Sequence, residues 1–182
     1  MLNYSTKDVA MVGILSALSV AMGYSFIFVP NIEMISASIF ISGYLLGVQK
    51  GIVVGIVAES IFSAFNPMGS GLPYPFLLVS QVIGMAFFGA VGGMLGRWGD
   101  KFAFTRNRII FIALAGLGCT AVYDLLTTLS WPIAAGFSGN QMYSLIALGA
   151  LFSVIHLLSN SLIFAIIVPS ILKAVNLSGR FD

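Results

Sequence analysis

The stretch Val9–Val29, with the sequence VAMVGILSALSVAMGYSFIFV, decides the fold class because it contains no charged residue. A transmembrane helix needs about 20 consecutive apolar residues, and this stretch is long enough to form one. Pro30 and Asn31 follow it and end the helix. We expect the helix to be kept rather than cleaved as a signal peptide, because no cleavage site of small residues leads from it into a polar region.

Five more apolar stretches follow, and polar or breaker-rich segments separate them. We expect a tight turn at Gln49–Gly51 and an irregular loop at Asn66–Pro75, where three prolines and two glycines cannot continue a helix. The sequence therefore predicts an all-α integral membrane protein, with six transmembrane helices bundled in a single domain that covers residues 1–182. The five further predicted helices are Ile32–Val48, Ile52–Phe65, Phe76–Leu95, Ile109–Ala135 and Met142–Lys173.

The composition indicates that lipid is the main solvent of this chain. Its residues are 59% hydrophobic and only 8% charged, whereas soluble domains carry about 25% charged residues. Such a chain has too few charges to cover a water-facing surface, so nearly all of it should lie within a membrane. We expect a multi-pass protein of the cell (plasma) membrane of prokaryotic type.

All eight Lys and Arg residues can be placed on one side of that membrane. Each precedes the first predicted helix or follows an even-numbered one. Cytoplasmic loops carry an excess of Lys and Arg, so both the N and the C terminus should be cytoplasmic. This distribution indicates contact with a membrane surface rather than with nucleic acid. The eight residues are Lys7, Lys50, Arg97, Lys101, Arg106, Arg108, Lys173 and Arg180.

Missing residue patterns exclude several classes of function. The sequence has no glycine-rich phosphate loop with a lysine, so this chain should not hydrolyse ATP itself. One His and one Cys cannot build a metal site, and we expect no cofactor. Because Cys119 is alone, an internal disulfide is also excluded.

Four ionisable residues in the predicted helices are candidates for a binding site, namely Glu33, Glu59, Asp124 and His156. Charged groups are costly in lipid, so these side chains should face the bundle interior or a cavity. By helix rise, Asp124 lies roughly 22 Å from the cytoplasmic start of its helix and His156 lies near the midplane. Together with Gln81 they predict a pocket that opens outward. The alternative is a structural network in which Asp124 or Glu59 bonds to His156, and for Glu59 a structural role is favoured.

A stripe of small residues lies on the first predicted helix. Gly13, Ala17 and Ala21 recur every four residues and therefore share one helical face. Small residues let helices approach closely in lipid, where association depends on packing. The spacing alone leaves two possibilities open, which are packing inside the bundle and contact with a partner protein.

Two other functions are less compatible with the sequence. A stand-alone facilitator or channel needs a polar stripe through the whole bundle, but polar residues become sparse on the cytoplasmic side of His156. Gly69-Ser70-Gly71 before the fourth helix, with His156 on the sixth, resembles an intramembrane serine protease of the rhomboid family. However, Ser70 lies in a loop, and His156 is too deep in the membrane to activate it. We therefore expect that the protein is not an enzyme.

The six-helix architecture resembles the substrate-binding S component of an energy-coupling factor (ECF) vitamin transporter. The local features that carry this resemblance are Ala17-Leu18-Ser19-Val20-Ala21 and the segment from Asn31 to Gly47. In that family an Ala-x-x-x-Ala pattern on helix one contacts a membrane coupling subunit, so the resemblance favours a partner interface at Gly13, Ala17 and Ala21. It also implies two ATPase subunits as further partners, with high-affinity binding of a vitamin or a vitamin precursor.

The resemblance further implies where the ligand binds, near the outer face between the outer loops and helices four to six. A cobalamin-related compound is the leading candidate ligand, while a thiamin precursor and pyridoxine-like or pantothenate-like compounds remain open. The candidate substrate-binding residues are Glu33, Asn66, Ser70, Tyr74, Gln81, Asp124, Trp131, His156 and Asn160.

Overall fold

The computed structural model describes residues 4–97 and 106–177. Within these ranges the chain forms six α-helices and no strand, which confirms the predicted number of helices. Four of them, α1, α4, α5 and α6, are long and apolar enough to cross a membrane. The helices are α1 (Thr6–Ser25), α2 (Ile35–Leu46), α3 (Val48–Ala64), α4 (Pro75–Gly96), α5 (Arg106–Ala134) and α6 (Gly139–Leu177).

The break between α2 and α3 differs from the prediction. The predicted turn at Gln49–Gly51 is wrong, because those residues are helical and the chain turns at Gly47 instead. Gly47 has φ 86°, a left-handed conformation that glycine adopts without steric cost. As a result α2 has only 12 residues and is mostly buried, while α3 has 17 and is longer than predicted.

Glycines bring the backbones of α2, α3 and α4 into direct contact. A Cβ atom added to Gly43 or to Gly51 would overlap the carbonyl oxygen of Gly89, and one added to Gly89 would overlap that of Gly51. Such contacts are typical of helices that associate in membranes by close packing. These three helices therefore form one tightly packed unit, which we call the glycine-packed unit.

α1 packs against α2 and α3 through one face and leaves the other face uncovered. A capping box formed by Ser5 and Asp8 starts the helix, and Asp8 also pairs with Lys50 of α3. The side chains of Ser16 and Ser19 are buried against the bundle.

The stripe of Gly13, Ala17 and Ala21 lies on the uncovered face of α1 and is exposed. No atom lies within 4 Å of a Cβ built on Gly13. The stripe therefore does not pack inside the bundle, which was one of its two possible roles.

α5 and α6 pair with each other and close the other side of the bundle. Phe164 of α6 lies against Gly116 of α5 and makes an edge-to-face contact with Phe40 of α2, with ring centroids 5.0 Å apart. Phe88 of α4 joins this cluster at a centroid distance of 5.8 Å from Phe164. These rings form the centre of the apolar core.

The described basic residues all fall at the same end of the bundle, as the sequence predicts. Lys50 reaches Asp8 at that end, and the guanidinium of Arg108 lies over the ring of Tyr44, 5.5 Å from its centroid. Most of the segment between the fourth and fifth predicted helices, including Lys101, falls on residues 98–105, which lie outside the described residues, as does Arg180. α5 already begins at Arg106.

Candidate functional site

A cavity of about 360 Å³ lies at the opposite end of the bundle from the basic residues. The segment between α1 and α2, residues 26–34, forms one wall, and we call it the cavity loop. The other walls come from the end of α1, from α3 and the residues that follow it, from α4 and α5, and from the middle of α6. The polar residues that line the cavity are Asn31, Glu33, Asn66, Gln81, Tyr123, Asp124, Thr127 and His156.

An acid–imidazole cluster lies in this cavity, with His156 between two carboxylates. The Nδ1 atom of His156 is 2.7 Å from Oδ1 of Asp124, and its Nε2 atom is 3.6 Å from Oε1 of Glu33. The side chains of His156 and Asp124 are 8% and 12% exposed, so water screens their interaction poorly. One histidine thus connects α6 with α5 and with the cavity loop.

A second polar layer supports this cluster from inside the bundle. Asn160, one turn after His156, is fully buried. Its Nδ2 group donates to Oγ1 of Thr120 over 3.1 Å and to Oε1 of Glu33 over 3.4 Å. Thr120 in turn donates to the carbonyl oxygen of Gly116 in its own helix. Asn160 therefore orients Glu33 without lining the cavity itself.

The cavity loop is attached to α6 by a further hydrogen bond. The hydroxyl of Ser159 donates to the backbone carbonyl of Asn31. Asn31 has φ 59°, a left-handed conformation that asparagine tolerates better than most residues. The loop is thus connected to α6 at two neighbouring residues, Asn31 and Glu33.

On the side of α3 and α4, Gln81 is held by a neighbouring hydroxyl. Its Oε1 atom accepts a hydrogen bond of 2.8 Å from Ser63, which leaves its amide N–H groups for other acceptors. Glu59, one turn before Ser63, is 1% exposed and does not line the cavity. This position agrees with the structural role that the sequence favours for Glu59.

Five of the nine predicted substrate-binding residues line this cavity, namely Glu33, Asn66, Gln81, Asp124 and His156. The sequence treats a ligand pocket and an Asp124–His156 network as alternatives, but in the structure the same residues form both. Asn160 lies in the layer behind the cavity, as described above.

The structure does not bring Ser70, Tyr74 and Trp131 to the cavity. Ser70 holds its own loop together, because its hydroxyl donates to the carbonyl of Ala64 and accepts from the N–H of Leu72. The rings of Tyr74 and Trp131 pack edge to face, 6.2 Å apart, outside the cavity. Both residues are about half exposed. Tyr74 thus contacts α5 near the end of that helix that lies away from the basic residues.

Aromatic residues that the sequence does not single out for ligand binding form much of the cavity wall. They are Phe26 of the cavity loop, Phe62 of α3, Tyr123 of α5 and Phe152 of α6. Phe26 is equally compatible with the aromatic belt that marks a membrane interface. Tyr123 directly precedes Asp124, and Phe152 lies one turn before His156. For Tyr123 and Phe152, proximity to Asp124 and His156 is the one signal in the sequence that indicates a position in the cavity wall.

The cavity residues do not suggest a metal site. Among residues 4–97 and 106–177, no group of three or more His, Cys, Asp or Glu side chains could hold a metal ion. The site combines aromatic walls with hydrogen-bonding groups, as expected for an organic ligand.

Comparison with known proteins gives one match. The family model described as "ECF-type riboflavin transporter, S component" matches residues 3–177 of this chain. No curated protein and no solved structure matches it significantly.

Proposed function

The chain belongs to the family of S components of ECF-type riboflavin transporters, and on that premise we propose that it binds riboflavin or a closely related flavin for import. As an S component it is a multi-pass, vitamin-binding subunit of a transporter and not an enzyme. Such a subunit associates with an ECF membrane subunit and with ATPase subunits.

The observation that carries the proposal is the aromatic cavity beside the acid–imidazole cluster. Ligand pockets typically have volumes of about 300–1,000 Å³, and this one has about 360 Å³. Phe26, Phe62, Tyr123 and Phe152 offer apolar ring surfaces to a flat tricyclic ligand. A flavin suits these dimensions better than a cobalamin-related compound, whose macrocycle is far larger.

The interior of the bundle argues against an open pore. Phe40, Phe88 and Phe164 are at most 1% exposed and fill the bundle on the basic side of the cavity. A ligand in the cavity therefore faces a closed apolar core. Release on the other side of the membrane requires a movement of the whole subunit or of its helices.

We assign the exposed stripe of Gly13, Ala17 and Ala21 to contact with the membrane coupling subunit. The stripe faces away from the bundle, and its small side chains permit close approach of another helix.

By the positive-inside rule, the basic end of the bundle faces the cytoplasm and the cavity opens outward. A membrane-impermeant maleimide would test this orientation in a Cys119→Ser background, because it should label Ser138→Cys but not Lys7→Cys in intact cells.

Titration of the purified protein in detergent, without ATP, tests the ligand. We expect saturable binding of riboflavin at one site per chain, and clearly weaker or no binding of cyanocobalamin and thiamin. Failure of riboflavin to bind at any concentration up to its solubility limit would overturn the proposal. Binding of cyanocobalamin instead would support the corrinoid that the sequence alone suggests.

A further inference from the structure

Three arginines of α4 and α5 lie where these helices approach the end of α2. A Cβ atom added to Gly96 of α4 would overlap the backbone carbonyl of Tyr44 on α2, so the next residue, Arg97, lies beside the end of α2. On α5, the guanidinium of Arg108 lies over the ring of Tyr44, 5.5 Å from its centroid. Arg106 is exposed and lies two residues earlier, at the start of the same helix. We call Arg97, Arg106 and Arg108 the arginine cluster.

The end of the bundle that holds this cluster carries an excess of positive charge. Six of the eight basic residues are described, and all six lie at this end. The one described acidic residue there is Asp8, which pairs with Lys50. In the connecting segment 98–105 the sequence adds one acid, Asp100, and one base, Lys101. This end should therefore attract an anionic partner.

Apolar side chains next to the arginine cluster are exposed. Met94 lies three residues before Arg97 on α4, and Phe111 lies three residues after Arg108 on α5. In a membrane, such side chains contact acyl chains, while the guanidinium groups reach the level of the lipid headgroups. Positive charge beside an apolar surface suits an anionic phospholipid better than a soluble anion.

We propose that the arginine cluster binds the phosphate of phosphatidylglycerol, or of a similar anionic phospholipid, in the membrane leaflet that surrounds the basic end. Arginine suits this role because its planar guanidinium group can donate two parallel hydrogen bonds to a phosphate. The ring of Tyr44 positions the guanidinium of Arg108 through a cation–π contact. A zwitterionic lipid brings the same phosphate together with a cationic choline group, which the neighbouring arginines repel. This site is independent of the ligand that the cavity binds.

Native mass spectrometry of the purified protein in a neutral detergent tests the proposal. The probes are phosphatidylglycerol and phosphatidylcholine with identical acyl chains. We expect phosphatidylglycerol to bind at least about tenfold more tightly. Glycerol phosphate, which lacks acyl chains, should not displace it at equal concentration. Equal affinity for the two lipids, or displacement by glycerol phosphate, would overturn the proposal.

Variants then test whether the arginine cluster causes this preference. Arg97→Gln combined with Arg106→Gln changes two exposed side chains, so the protein should fold normally. We expect phosphatidylglycerol to bind about 25-fold more weakly, because each basic residue near an anionic lipid surface contributes about fivefold.

Lys7→Gln combined with Lys173→Gln is the matched control. It removes the same charge from exposed positions at the same end of the bundle, but on α1 and α6. The affinity for phosphatidylglycerol should change by less than about threefold, since solvent and salt screen distant exposed charges. Equal losses in the two double variants would show that the lipid responds to the total charge of this end, which would overturn the assignment to the arginine cluster. Affinity at the wild-type level in the double arginine variant would overturn it as well.

Discussion

Oδ1 of Asp124 on α5 and Nδ1 of His156 on α6 lie 2.7 Å apart, and both residues line the cavity. This contact connects the two helices at the level where the ligand would bind. Asp124 thereby has a structural partner and a place in the binding site at the same time. Replacement of Asp124 should therefore weaken both the contact between α5 and α6 and the binding of the ligand.

We expect Asp124→Asn to weaken riboflavin binding by about 10- to 100-fold, because a hydrogen bond to a charged group contributes about 1.5–3 kcal/mol. Isothermal titration calorimetry measures this effect directly. Glu59→Gln serves as the control and should change the affinity little, since Glu59 does not line the cavity. Similar losses in both variants would place the ligand elsewhere in the bundle.

The hydrogen bond between Ser159 and the cavity loop should slow the release of ligand. Ser159→Ala removes the donor to the carbonyl of Asn31, and a loss of about 1 kcal/mol would make dissociation about fivefold faster. Stopped-flow fluorescence of riboflavin release provides the measurement. Ser161→Ala is a matched control, because the hydroxyl of Ser161 donates within α6, to the carbonyl of Leu157. Equal release rates in the two variants would show that this bond does not hold the loop.

Close packing in the glycine-packed unit should make Gly89 intolerant of any side chain. Gly89→Ala places a methyl group on the carbonyl of Gly51, and overpacking of this kind typically costs about 1–3 kcal/mol. We expect a lower thermal unfolding midpoint in detergent. Gly118→Ala, which meets no atom within 4 Å, should leave the midpoint unchanged or raise it slightly. A Gly89→Ala protein as stable as the wild type would mean that α3 and α4 are less closely packed than described.

The stripe on α1 should be needed for transport but not for ligand binding. Ala17→Trp adds a large side chain to the exposed stripe of small residues, where it would block close approach of another helix. We therefore expect riboflavin affinity to stay the same while uptake by cells is lost. Ala121→Trp is the control, because Ala121 is exposed on α5, away from the stripe, and it should support uptake. Loss of ligand binding in Ala17→Trp would contradict a partner interface. Normal uptake would show that the coupling subunit docks elsewhere.

The sequence predicted the helices and part of the site for clear physical reasons. Uninterrupted apolar runs define membrane helices. Helix rise placed Asp124 roughly 22 Å from the cytoplasmic start of its helix and His156 near the midplane, and in the structure the two side chains meet. The turn at Gly47 was missed because Gln49 and Lys50 look like a polar loop. In the structure Lys50 is helical and finds its partner Asp8 on another helix, a contact that no local pattern reveals.

The aromatic walls and the cavity loop could not be predicted in the same way. Phe26 and Asn31 lie in the irregular segment after α1. Asn31 is held there by a hydrogen bond from Ser159 of α6, a contact between distant parts of the chain that no local pattern reveals. Tyr74 and Trp131 seemed suited to the pocket from their position in the chain, yet they pack against each other. The identity of the ligand depends on the shape and charge of the cavity, and a sequence pattern reports neither.

The glycine-packed unit also has a consequence for how this chain can evolve. Where helix backbones touch, as at Gly43, Gly51 and Gly89, almost every substitution is excluded by sterics. The cavity-lining residues Thr127 on α5 and Phe152 on α6 lie outside these backbone contacts. Mutations that alter ligand preference can therefore accumulate on one half of the molecule while the other half preserves the scaffold. Proteins with this architecture can therefore change the ligand that they bind while their fold stays the same.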